Sequence, residues 1–169
     1  MCGGSTPLGC AINFGDIMDE YYMNEAIKEA SVCTYEVPVG AIIVHEGNII
    51  GRGHNLIETT NDPTSHAEII AIRQASSYLN SWRLIDCTIY VTLEPCPMCA
   101  GAIINSRIKR LVIGALDEKR GCCGSVEDLV RHPRFNHRLD LTIGVLEEES
   151  SKLLKDFFKQ LREDKEGSK

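Results

Sequence analysis

His66 and Glu68 stand one residue apart, and further along the chain Cys96 and Cys99 follow in the run Pro95-Cys96-Pro97-Met98-Cys99. One imidazole nitrogen and two thiolates are ligands that suit zinc, and no fourth ligand stands at a matching spacing. A structural zinc is normally closed by four protein ligands. A catalytic one keeps a position for water, which the metal acidifies into a nucleophile near neutral pH. Glu68 is better placed beside that water than on the metal. From there it can take the water proton, deliver a proton to a heteroaromatic ring nitrogen and assist departure of an amino group as ammonia. The chemistry that this set fits is hydrolytic deamination of a purine or pyrimidine base. Taken singly, His66 reads as a hydrogen-bonded surface histidine and Glu68 as a solvated helix residue; only their spacing relative to the cysteines selects the catalytic reading over a closed structural zinc.

Such side chains need rigid elements to hold them. Residues 16–32 carry Ile17, Tyr21, Ala26, Ile27 and Ala30 at helical spacing, with Asp16 or Asp19 suited to the positive end. The β-rich runs 37–44 and 49–53 flank Glu46-Gly47-Asn48, which predicts a hairpin, and Asn55 lies just past its returning strand. A helix is expected over 65–78, entered by a turn at 62–65 and burying Ile69, Ile70 and Ile72. A strand at 87–93 runs into Glu94-Pro95-Cys96, and Pro97 opens a helix to 106, since proline is tolerated in a first turn. Cys96 and Cys99 then share one turn, where helix-end N–H groups favour their thiolates. A strand at 111–116, a short helix around 126–130, a strand at 141–145 and a helix over 147–161 complete the order. The fold class is α/β, a mixed sheet of about five strands covered by helices. Residues 1–16, Gly-rich and aperiodic, read as a flexible extension, and 17–165 as a single domain.

The 169 residues are 43% hydrophobic and 25% charged, which suits one packed domain and excludes disordered, collagenous and low-complexity chains. No basic stretch followed by an apolar core opens the sequence, and no window approaches about eighteen apolar residues, so a soluble cytoplasmic protein without a membrane partner is expected. In that setting the eight cysteines are thiols rather than a disulfide framework. Cys96 and Cys99 are assigned to metal, Cys33 and Cys87 to apolar sites, and Cys2 and Cys10 to the extension. The adjacent Cys122 and Cys123 either pack locally or serve a redox or second metal role.

The formal charge of −6 argues against indiscriminate nucleic-acid binding, but the charge is uneven. Residues 1–106 hold four Lys/Arg against twelve Asp/Glu, whereas residues 107–138 hold eight against four. A local basic patch can attract phosphate on an acidic chain, and a solvated face is the alternative.

Several landmarks accompany the ligand set: Glu36-Val-Pro-Val-Gly40, Gly53-x-Asn55, Asp62-Pro-Thr-Ser-His-Ala-Glu68, Thr92-Leu-Glu-Pro-Cys-Pro-Met-Cys-Ala-Gly-Ala102, Gly121-x-x-Gly-Ser125 and Asn136-His-Arg138. On these residues the sequence, from about Asp19 to Arg162, resembles the bacterial tRNA-specific adenosine deaminases of the cytidine/deoxycytidylate deaminase-like zinc superfamily. The zinc motif marks the superfamily, and the other landmarks point to tRNA. The resemblance implies a three-layer α-β-α cytidine-deaminase-like domain that converts wobble adenosine to inosine. It implies one zinc per subunit on His66, Cys96 and Cys99, and Glu68 as proton shuttle. The Ala67 N–H would hold the attacked region of the base, Asn55 would read the purine edge and Val39 would contact its flat face, with Pro38 shaping the loop. Turn, core and strand-entry roles are the plainer readings of Asn55, Val39 and Pro38. Lys119 or Arg120 would contact phosphate and Asp117 would contact sugar or order its loop, against roles as solvated or ion-paired residues. Partners implied are a tRNA anticodon stem-loop and a second copy of the chain in a homodimer, with the stripe from Met98 to Ile104 at the interface or in the core. Ser65, where relatives often have Ala, and Cys122-Cys123, where they have small residues, depart from the pattern without touching a ligand. A deaminase of a free base, nucleoside or nucleotide would use nearly the same chemistry. A non-catalytic zinc-containing RNA-binding protein is the remaining alternative.

Overall fold

The computed structural model describes residues 13–167. Cys2, Cys10 and most of the expected 1–16 extension lie outside the described residues. Helix α1 (Phe14–Ala30) starts on Asn13, whose side-chain oxygen accepts the Gly15 N–H. Strands β1 (Gly40–His45) and β2 (Asn48–His54) form the hairpin, turning at Glu46 and Gly47, both at positive φ. The short α2 (Ile57–Thr60) and α3 (Ala67–Leu79) come next, followed by β3 (Thr88–Leu93), α4 (Pro97–Asn105), β4 (Arg110–Ala115), β5 (Asp140–Ile143) and α5 (Glu147–Gly167).

The five strands lie in the order β2-β1-β3-β4-β5, with β1 antiparallel to both neighbours and β3, β4 and β5 parallel. Successive strand residues point to opposite faces, and the core obeys that rule. Ala41, Ile43, Ile89, Val91, Leu111 and Ile113 pack with α3 and α4, whereas Ile42, Val44, Tyr90 and Val112 pack with Tyr22, Met23 and Ala26 of α1 and with Val145 and Leu146, which lead into α5. The expected three-layer α-β-α sandwich is what forms.

Helix α3 is seated by close approach of backbone to backbone. At Gly53 a Cβ would stand 2.2 Å from the Ala67 carbonyl oxygen, so only glycine lets the first turn of α3 rest on β2. On the opposite face a half-buried ion pair fixes α1. Arg110 donates two hydrogen bonds to Asp19, of 2.8 and 2.6 Å, Tyr90 donates a third at 2.8 Å, and Arg110 also reaches the Thr142 hydroxyl at 2.9 Å. Asp19 thereby ties α1 to β3 and β4, and Arg110 carries the link on to β5. Asp19→Ala strands a guanidinium and a phenol, and is expected to lower unfolding free energy by about 2–3 kcal/mol. Urea unfolding at unchanged m-value checks this; a loss under about 0.5 kcal/mol would mean that solvent already screens the pair.

Two expectations change. Residues 126–130 are not a helix but part of a hydrogen-bonded loop between β4 and β5, with a bridge between Cys123 and Asp128 and a Leu129 N–H to Cys122 carbonyl bond. Gly124, at φ +137, turns the chain there and returns it on itself before a helical turn can close. The last helix runs past 161 to Gly167 because Arg162, Glu163, Lys165 and Glu166 are good helix formers, and Lys159 pairs with Glu163 one turn on. All six cysteines among the described residues are free thiols; Cys87, Cys122 and Cys123 are buried and Cys33 is half-buried. Among the described residues no helix is long and apolar enough to cross a membrane.

Candidate active site

Two helix N-termini converge on the ligand set. His66 is the residue that caps α3 and Cys96 the residue that caps α4, both in extended backbone, and Pro97 opens α4. Ala67 and Glu68 therefore form the first turn of α3 and Cys99 lies in the first turn of α4. The positive ends of both helices point into the site and favour anionic sulfur. His66 Nδ1 lies 3.8 Å from Cys96 Sγ and 3.5 Å from Cys99 Sγ. All three ligand atoms lie within 4.8 Å of one another, and this is the cluster of this kind found among the described residues. A borderline imidazole and two soft thiolates in that space fit a zinc ion.

A hydrogen bond from Cys99, with the His66 ring adding to it, lowers the Cys96 thiol to about 3. The hydrogen bond to Cys96 and burial push the Cys99 thiol up. The bond to Cys96 likewise raises His66. Glu68 is buried, and that burial lifts its carboxyl above the ordinary carboxylate range.

Beside these groups lies a cavity of about 120 Å³, lined by Val37, Val39, Asn55, Ile57, His66, Glu68, Leu93, Glu94, Cys96, Asp117 and Arg120. Every proposed ligand except the deeper Cys99 reaches it. Val39 is buried and contributes to both the core and the cavity wall, while Pro38 is buried beside it without lining the cavity. The Asn55 amide bridges two elements: its oxygen accepts the Ala67 N–H at 3.0 Å and its nitrogen donates to the Val37 carbonyl at 3.0 Å. Those neighbours fix which way the amide faces, and leave it one donor hydrogen and one acceptor lone pair for a base. The Ala67 N–H is a single donor already engaged by Asn55, so it can serve a ligand only by exchanging that bond.

The loop after β4 forms the other wall. Asp117 accepts the N–H groups of Lys119 and Arg120 at 3.0 and 3.1 Å, which makes it an organiser of the turn. Arg120 and Asp117 border the cavity. Lys119 instead lines an adjoining open groove of about 590 Å³, with Val37, Leu93, Leu116, Leu154 and Phe158.

Sequence reasoning passed over the apolar lining of Val37, Ile57 and Leu93 and two buried carboxylates, Glu36 and Glu94. Glu36 caps α2 from outside it, accepting the Glu58 and Thr59 N–H groups at 3.2 and 2.7 Å. Burial opposes its charge, but those backbone donors prevail and hold its carboxyl below the usual range. α2 positions Ile57 at the cavity. The only sequence signal for either carboxylate was its place inside a landmark motif.

A three-layer domain with a His/Cys/Cys zinc set and a buried glutamate beside it defines a zinc-dependent hydrolytic deaminase of the cytidine-deaminase type. Comparison with known proteins narrows the class. The MafB19-like deaminase family model matches residues 17–162. A tRNA-specific adenosine deaminase of Bacillus subtilis strain 168 is 49% identical over 153 residues, covering 89% of this chain and 95% of that one. A solved tRNA:A34 deaminase, studied for A-to-I editing at the wobble position, superposes with a TM-score of 0.76 at 42% identity, over 79% of this chain and 99% of that one. A guanine deaminase from Bacillus subtilis gives 0.56 at 40% identity, over 62% and 66%. The chain belongs to the tRNA-specific adenosine deaminase family.

Proposed function

We propose that this chain converts adenosine to inosine at the wobble position of a tRNA anticodon, acting as a cytoplasmic homodimer through a single deaminase domain of residues 17–165 behind an amino-terminal extension of residues 1–16. The observation that carries the reading is a buried Glu68 beside the His66/Cys96/Cys99 set, in a small cavity that opens towards Lys119 and Arg120. A one-base cavity with cations at its rim suits a nucleotide presented by a longer strand.

Zinc held by His66, Cys96 and Cys99 would supply acidification of a water molecule and so the nucleophile. The protein's residues do the rest. Glu68 accepts the proton lost by the water, returns it to the ring nitrogen next to the attacked carbon, and carries a second to the leaving amino group, so that water enters and ammonia leaves. Its burial suits that work, because a carboxyl raised above its ordinary range gives up and regains a proton more readily at working pH. Val39 and Ile57 provide apolar contact for a flat base, and the free donor and lone pair of Asn55 face its edge. Lys119 and Arg120 lie where phosphates would pass, and Asp117 keeps their backbone in place. An anticodon loop presents its wobble base at a lower unstacking penalty than a duplex would. The outer side of α4, with Met98, Gly101 and Ala102 only part-buried, is the face assigned to the second subunit.

The likeness to a guanine deaminase keeps a second reading, a deaminase of a free base, nucleoside or nucleotide. Mass-resolved nucleoside analysis after incubation with unmodified tRNAs bearing wobble adenosine, alongside free adenosine, cytidine and guanine, separates them. Inosine at the anticodon position alone is the expected product. Product from a small substrate only would retain the zinc chemistry and overturn the RNA assignment, and no product from a fully zinc-loaded chain would leave a binding protein.

A further inference from the structure

Glu94 sits between the zinc-binding turn and the cation-bearing loop, and its carboxylate is buried, with 3% of the residue exposed. It accepts three backbone donors from that loop: Asp117 N–H at 3.0 Å, Cys123 N–H at 2.9 Å and Ser125 N–H at 3.0 Å. The Ser125 hydroxyl donates a fourth, short bond. The loop backbone presses against the same carboxylate, for a Cβ at Gly121 would stand 2.2 Å from its Oε2. The Cys122 N–H donates to the Pro95 carbonyl at 2.9 Å, and the Glu94 N–H to the Ala115 carbonyl at 2.8 Å. Residues 94–95 thus grip the 117–125 segment at both ends and the middle, one residue before the ligand Cys96.

We infer that Glu94 is a positioning residue for the polymeric substrate: its carboxylate holds the 117–125 loop so that Asp117, Lys119 and Arg120 stand at fixed distances from the zinc-binding set. The loop has no helix or strand of its own; its turn bonds to Asp117 and the buried Cys122 and Cys123 hold it locally, while the Glu94 carboxylate is what ties Asp117, Cys123 and Ser125 to the zinc-binding turn, so removing the hub loosens the loop relative to the site. The amide donors converge on a group that only accepts. Glutamine has nearly the same volume and brings two N–H donors of its own, which turns one side of the hub from attraction to repulsion. The consequence falls on substrate holding rather than on the chemical step, because Glu68 and the zinc ligands belong to α3 and α4. This rests on the reading of the loop as RNA-facing.

The test uses the zinc-loaded full-length chain and Glu94→Gln. Amide hydrogen exchange over 117–125, read by mass spectrometry without RNA, is expected to quicken about tenfold or more, in line with loss of a charge-assisted bond. With a wobble-adenosine stem-loop, KM is expected to rise about tenfold or more while kcat stays within about threefold and zinc stoichiometry is unchanged. Ser125→Ala, which removes only the hydroxyl donor, shifts both readouts in the same direction by less and carries the test if the glutamine variant does not fold. Unchanged exchange and KM would overturn the inference, as would a fall in kcat that tracks lost zinc at constant KM. If the parent chain makes no inosine from RNA, the proposed substrate falls, and the exchange rates alone decide whether Glu94 anchors the loop.

Discussion

Glu68→Gln is expected to lower turnover between about a hundredfold and ten-thousandfold, the span associated with positioned general acid-base groups, while zinc content and fold are kept. The substitution preserves shape, and the side chain is not needed for metal binding, since the ligand atoms come from His66, Cys96 and Cys99. On the proposed mechanism it removes the group that carries protons between water, ring and leaving amine. Glu68 is also buried, so no bulk base can substitute for it. Single-turnover deamination beside metal analysis measures the effect, and RNA affinity should change little because the loop and groove are untouched. Ordinary turnover by the glutamine variant would remove Glu68 from the proton path. A variant that loses its zinc would show instead that the carboxylate supports the metal.

Cys99→Ser should abolish turnover in proportion to the zinc that it fails to hold. Cys99 is fully buried in the first turn of α4, and a hydroxyl in its place is a harder and weaker ligand for zinc than a thiolate. The fold itself should persist, since the exchange is nearly isosteric and the surrounding core is formed by Ala100, Ile103 and their neighbours. Thermal stability falls as well, because a ligand that binds only the folded state stabilises it by about 4 kcal/mol at a thousandfold excess over its Kd. Zinc stoichiometry under a competing chelator, followed by melting with and without added zinc, checks both parts. Full zinc retention at parental affinity would mean that the third position is filled by another group, and the ligand assignment would then be wrong.

What the sequence made legible follows from the range of the forces involved. Helices and strands that bury a periodic face, such as 67–79 and 88–93, announce themselves within a few residues, and so does the ligand set, whose members lie on two short motifs. The turn at Glu46-Gly47 could be read because glycine supplies the positive φ that it needs. Interactions between distant segments were not legible. The four-residue α2 has no cap of its own, since Leu56 offers no side-chain bond, and Glu36 supplies it across 22 positions. The expected helix at 126–130 gave way to a loop in which the Val126 and Leu129 N–H groups bond to the Gly121 and Cys122 carbonyls, and Glu94 holds the stretch before it from 29 and 31 positions away at Cys123 and Ser125. A carboxylate in a sequence looks solvated until its tertiary partners are known. The engagement of Ala67 by Asn55 was hidden for the same reason.

The ligands His66, Cys96 and Cys99 are held by helix ends whose following residues, Ala67, Ala71, Ala100 and Ile103, are packed in the apolar core. Small metal-dependent modules gather their ligands only when the ion arrives, so that folding and metallation are one event. Here the helices that carry the three donors are also held by apolar packing, so the core shares with the metal the work of placing the ligand atoms. A change in the core behind Ala71 or Ile103 therefore reaches the metal site without touching a ligand.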